Sequence, residues 1–226
     1  MELANIFRKF SVSVILLLLS LSVPAEKSFA ETLDDLITSL RSKDYLVQLS
    51  AVEALGGIED QRAVDALLKF VFVKAENWKI KIKAIRLLGE IPDQKISDKL
   101  VTIFNDPFLN EECPAMKWNT AIALGQHFNR GSRAVDSLIE ALNYDNLLIR
   151  EAVIQSLGKI GDSRAVPFLI PELKDKNFAI RFSTIKALEN IGNSQAIPFL
   201  KQVADTDNDL YIKRAVLSAL ENLRTY

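Results

Sequence analysis

The chain has 226 residues, 49% of them hydrophobic, with 28 basic and 29 acidic side chains. That apolar content argues against disorder, and the balanced charge supplies no global field for nucleic acid or an anionic membrane. A single cysteine, Cys113, and a single histidine, His127, rule out an internal disulfide and remove most zinc-site and Ser-His-Asp readings.

Residues 1–30 read as a targeting segment. Arg8 and Lys9 precede a mostly apolar stretch from Phe10 to Val23, and the polar tail ends Ser28-Phe29-Ala30, a small-x-small cleavage pattern. About fourteen residues are too few for a comfortable membrane-spanning helix, which needs ~20. The expectation is a signal peptide cleaved after Ala30, with no stable membrane span afterwards and an exported, periplasmic chain of residues 31–226. No cysteine stands at the end of the apolar run, so a lipid-modified N-terminus is not expected.

From there the chain aligns to itself. The pairs Leu55-Gly56, Leu88-Gly89, Leu124-Gly125, Leu157-Gly158, Leu188-Glu189 and Leu220-Glu221 recur at spacings of 33, 36, 33, 31 and 32 residues. Nine positions before the second member stand Val47, Ile80, Met116, Ile149, Ile180 and Ile212. Four positions before it stand Val52, Ile85, Ala121, Ile154, Ile185 and Leu217. Two after it come Ile58, Ile91, His127, Ile160, Ile191 and Leu223. A fixed period of this length marks a repeat architecture.

Each unit contains two apolar stripes of helical period. The first, such as Ala134-Val135, Leu138, Ile139 and Leu142, predicts a helix A. The second, such as Ile149, Val153, Ile154, Leu157 and Ile160, predicts a helix B. Gly161 and Gly192 suit helix C-caps, and Pro167 and Pro198 suit the first turn of helix A. Asp44, Asn77, Asn146, Asn177 and Asp209 share the column three residues before helix B's first apolar position, where they read as caps or turn formers.

The run Ser132-Arg133-Ala134-Val135-x-x-Leu138, then Ile149-Arg150-x-Ala152, Ser156-Leu157-Gly158 and Ile160-Gly161-Asp162, resembles HEAT-like repeats, in particular the short kind named after phycobilisome lyases. The resemblance covers residues 32–224. It implies an all-α fold, an α-solenoid of about six helix-pair repeats, with helix B rows lining a concave face and helix A rows a convex one. It says little about function, since similar repeats serve as scaffolds, regulatory subunits, bilin lyase subunits and some DNA glycosylases.

The basic column after helix B's first apolar position is Lys81, Lys117, Arg150, Arg181 and Lys213. It reads either as an anion- or acidic-peptide-binding strip or, as in similar repeats, as a bridge between neighbouring turns. Repeat 3 carries an insertion. The gap from the first helix A column to the helix B column is 20 residues (Ile96 to Met116), against 14 from Val135 to Ile149 and 16 from Val64 to Ile80. The inserted loop is expected to expose Phe108 and Leu109 beside Asp106, Glu111 and Glu112, as a partner contact or a tolerated surface excursion. Trp118 and Trp78 flank helix B starts and suit either a binding hot spot or the core. His127 takes the place of a core Ile or Leu.

No phosphate-cradling loop, nucleophile elbow or metal-ligand spacing appears in the sequence. The reading is therefore a non-enzymatic scaffold for a protein or peptide, without cofactor, metal or nucleic acid. Phe108, Leu109, Glu111, Glu112, Trp118 and the basic column are its candidate contacts. The expected state is a monomer or a weak dimer through a terminal repeat. The alternative function is a tetrapyrrole (bilin) lyase or isomerase-like subunit.

Overall fold

The computed structural model describes the backbone of residues 25–73, 77–126 and 133–224, and the side chains of 32–73, 77–109, 113–126 and 133–223. Most of the signal-peptide expectation, and His127, therefore lie outside the described residues. The chain forms two compact units, residues 1–63 and 64–226.

In the first unit, α1 (Ala25–Ser39) and α2 (Tyr45–Gly56) form one helix pair. Asp44 caps α2 by accepting from the backbone N–H groups of Leu46 at 2.8 Å and Val47 at 3.1 Å. Leu33, Leu40, Val52 and Leu55 are buried. Arg62 and Asp34 form an exposed ion pair.

The second unit follows the predicted alternation. Its helices are α3 (Gln61–Val71, beginning just before the unit), α4 (Trp78–Gly89), α5 (Gln94–Asn105), α6 (Pro107–Glu112), α7 (Pro114–Gln126), α8 (Arg133–Glu140), α9 (Leu147–Ile160), α10 (Val166–Leu169), α11 (Phe178–Ile191), α12 (Ile197–Thr206) and α13 (Leu210–Arg224). The described residues contain no strand. Pro167 lies in the first turn of α10, and a second proline, Pro171, falls in the 3₁₀ turns of Ile170–Lys174. Missing N–H groups at these points explain why that helix A is short and broken.

The caps match the predicted columns. Asn77 accepts from Lys79 N–H at 2.9 Å, Asn146 from Leu148 at 3.0 Å, Asn177 from Ala179 at 2.8 Å and Asp209 from Tyr211 at 2.7 Å. Gly161 and Gly192 close α9 and α11 with φ of 70° and 74°, left-handed values that a side chain would strain.

Helix B rows pack in series: α4 on α7, α7 on α9, α9 on α11 and α11 on α13. The Leu-Gly glycines set how closely. A Cβ on Gly89 would lie 2.7 Å from Ala123 Cβ, one on Gly125 2.5 Å from Ser156 Oγ, and one on Gly158 2.6 Å from Ala187 Cα. These approaches are below van der Waals contact, so only glycine fits. The Ser156 hydroxyl donates to the Ala121 carbonyl at 2.8 Å, which joins α9 to α7. At the last junction Glu189 stands in the glycine column. Its carboxylate accepts from Asn222 on α13 and pairs with Lys186 at 2.7 Å.

Candidate functional site

The basic column is buried or paired over most of its length. Arg150 on α9 pairs with Asp175, in the turn before α11. One repeat later, Arg181 donates from Nε to Asp207 at 2.8 Å and from an Nη to the Asp175 carbonyl at 2.9 Å. Asp175 and Asp207 each stand two residues before the next repeat's capping residue. Each cation thus ties its own helix B to the following A–B turn.

The same register places Tyr144 at the corresponding position after α7. Lys117 there donates to the Phe104 carbonyl at 3.0 Å, with its ammonium 4.4 Å from the Phe104 ring centroid and 4.8 Å from that of Tyr144. An ammonium over aromatic faces gains from the ring quadrupoles, while burial pushes the Lys117 amine below its usual range. Lys81 is 1% exposed, so its side chain does not form part of the surface. Lys213, in the last repeat, makes no side-chain ion pair or hydrogen bond with the described residues, and it is half-buried.

Glu172 sits beside the Arg150–Asp175 pair. Burial raises its carboxyl above the usual range; Arg150 opposes the shift and Asp175 adds to it. On the opposite edge, Asp162 caps the Ser163–Ala165 turn and pairs with Arg164 at 3.2 Å, and Arg164 reaches Asp136 at 2.8 Å.

The repeat-3 insertion differs from the expected exposed loop. It forms α6, capped by Asp106, whose carboxylate accepts from Leu109 N–H at 3.0 Å. Helix formation turns Leu109 inward, to 2% exposure, so its expected surface position is corrected. Phe108 stays outward at 41%. The side chains of Glu111 and Glu112 lie outside the described ones. Cys113 ends α6, half-buried, in the column that elsewhere holds the capping Asp or Asn.

Trp118 is 39% exposed and belongs to a larger feature. The residue after each Asp or Asn that caps a helix B is apolar and exposed: Trp78, Leu147, Phe178 and Leu210 in the second unit, and Tyr45 in the first. Leu148 and Tyr211 follow it, and Trp118 and Phe182 stand one helical turn into α7 and α11. Positions i and i+4 share a helix face, and the Phe178 and Phe182 rings stack with centroids 6.0 Å apart. Because the helix B rows stack in register, these side chains line one apolar strip of the second unit. The sequence reading singled out Trp78 and Trp118 and missed the rest. Their one signal is a place just after a cap, where the first turn of an exposed helix is ordinarily polar, and alone it does not separate them from core positions.

Among the described residues no group of acidic, His or Cys side chains is placed to hold a metal, and no helix is long and apolar enough to cross a membrane. An open groove of ≈ 550 Å³ lies by Asp175, Arg181, Val203 and Asp207, and its main charges are engaged with one another.

The model for HEAT repeats matches residues 33–108, 107–172 and 149–221. The chain belongs to the HEAT-repeat family. No curated protein sequence matches it. Among solved structures, this HEAT-repeat chain is similar to a designed armadillo repeat protein in complex with the peptide (KR)4, at 15% identity and a TM-score of 0.58, over 84% of this chain and 99% of that one. It is also similar to the CpcE–CpcF complex of phycocyanin lyase from Nostoc sp. PCC7120, at 21% identity and a TM-score of 0.56, over 83% and 75% of the two chains. At these identities the likeness shows the fold alone.

Proposed function

We propose that the chain is an exported, non-catalytic scaffold that binds a protein or peptide along the apolar strip of helix B starts. One observation carries this reading. Trp78, Trp118, Leu147, Leu148, Phe178, Phe182, Leu210 and Tyr211 are large apolar side chains that each leave more than a third of their surface to solvent. Large solvent-facing apolar strips with aromatic anchors are the usual sign of a partner surface. The complex of the designed armadillo repeat protein with the peptide (KR)4 supports the use of such a fold for binding.

Adjacent packed helices lie ~8–10 Å apart, and an extended segment rises ~3.3 Å per residue. One anchor per repeat therefore meets about every third residue of an extended partner. The carboxylates and amines around the strip orient the partner and set its on-rate. Phe108 adds an apolar contact beside repeat 3, whereas Leu109, Lys81, Arg150 and Arg181 support the surface from behind.

The test is a crosslinking pull-down from an envelope extract with the normal chain and a Trp118→Ala, Phe178→Ala, Phe182→Ala variant. These positions are surface-exposed, so circular dichroism should stay helical and unchanged. A partner captured by the normal chain and lost by the folded variant supports the scaffold. A coloured low-mass ligand copurifying with both, without a protein partner, sinks it in favour of a bilin-linked role.

A further inference from the structure

The column four residues before the Leu-Gly second member is fully buried in every helix B of the second unit but the last. Ile85, Ala121, Ile154 and Ile185 are all 0% exposed, because each is covered by the helix B that follows. Leu217 holds the same column on α13 and is 56% exposed. An apolar residue is retained there although a terminal repeat of a solenoid ordinarily presents a polar outer face. Its neighbours on that face are charged. Lys213 precedes Leu217 by four residues and has no side-chain partner among the described residues, and Glu221 follows it by four and is exposed.

We infer that two copies of this chain associate through the outer face of α13, with the two helices antiparallel and crossing at Leu217. The spacing argues for a second copy as the occupant. Residues i, i+4 and i+8 lie on one helix stripe about 6 Å apart along the axis. Reversing the stripe about its centre places Lys213 of each copy against Glu221 of the other and Leu217 against Leu217. The face is self-complementary under a two-fold axis, which closes the assembly at a dimer. Head-to-tail stacking gives the symmetric charge match no role and leaves an open chain. In the dimer Lys213 gains the carboxylate that Arg150 and Arg181 find in Asp175 and Asp207.

Sedimentation velocity of the purified chain over a concentration series, with matched charge variants, tests this. The expected result is a reversible monomer–dimer equilibrium. Lys213→Glu and Glu221→Lys should each weaken it about tenfold or more, through like charges facing across the axis. The double variant Lys213→Glu, Glu221→Lys should restore association, since the exchanged pair meets in the same geometry. Glu221 is exposed and Lys213 half-buried, and unchanged circular dichroism establishes that all three variants fold. A chain that stays monomeric throughout overturns the inference. So does association that single reversals leave unaltered, as would arise from the apolar segment near residues 10–23, or a double variant that fails to recover.

Discussion

Gly89, Gly125 and Gly158 of the Leu-Gly column sit where two helix B backbones pass too closely for a methyl group. Gly158 is the tightest against backbone, with Ala187 Cα only 2.6 Å from a built Cβ. Two effects oppose each other on replacing it. Alanine gains up to ~1 kcal/mol of helix propensity, while overpacking a well-filled contact costs about 1–3 kcal/mol. Because the obstacle is a main-chain atom, α9 and α11 must separate as whole helices, and the second effect wins. Gly158→Ala should lower the unfolding free energy by about 1 kcal/mol or more, measured by urea denaturation. Gly57→Ala is the control. Its built Cβ meets only the Ala54 carbonyl oxygen, at 3.5 Å, so that variant should be neutral or slightly stabilising. Equal losses at both positions would refute the close-packing account.

Between helices, the cation column and the turn ahead of it act as one device, seen best where Arg150, Asp175 and Glu172 meet. Glu172 is held above its ordinary range chiefly by burial. A carboxyl whose folded-state pKa is raised binds its proton more tightly in the native state. Its contribution to stability is present below the ordinary carboxylate range and lost as pH rises through the raised value. Glu172→Gln removes that titration and leaves the Arg150–Asp175 pair in place. From about pH 4 to pH 7 the normal chain should lose stability relative to the variant. Paired urea curves at several pH values check this, and parallel profiles would show that Glu172 titrates alike in both states.

The repeat register was legible because it rests on chemistry with a fixed address. The core columns recur in every period, the capping Asp or Asn in all but repeat 3, and the C-cap glycines Gly161 and Gly192 mark the ends of two helix B rows. Two kinds of feature were not legible. Leu109 reads as a loop residue because its surroundings, Asp106-Pro107-Phe108 and Asn110-Glu111-Glu112, are polar and proline-bearing. Yet Asp106 followed by Pro107 is also a helix start, and one turn of helix was enough to bury the leucine. The apolar strip was obscured for a different reason. In a helix packed on two sides, apolar residues occupy most of the circumference, so Phe178 and Phe182 look no different from core until the packing of α11 is known. The basic column remained two-sided in sequence because its acceptors, Asp175 and Asp207, lie some 25 residues downstream.

At the scale of the whole molecule, the proposed export requires that the chain still folds once its first thirty residues are gone. Helix α1 runs from Ala25 to Ser39 and so crosses the expected cleavage point between Ala30 and Glu31. Its buried side chains Leu33 and Leu40, and Asp34 in its ion pair with Arg62, all fall after that point. Cleavage therefore leaves these anchors in place and shortens α1 only at its N-terminal end, and helix termini fray with little loss. The chain, expressed in a bacterial host and recovered from the periplasm, should show an intact mass that begins at Glu31. Its thermal midpoint should lie within a few degrees of the uncleaved chain's, given that a loss of 1 kcal/mol shifts the midpoint of a 150–250-residue domain by ~2–4 °C. A full-length mass confined to the cytoplasm or membrane fraction would overturn the export reading. A correctly cleaved chain with a much lower midpoint would instead show that residues 25–30 contribute to the fold.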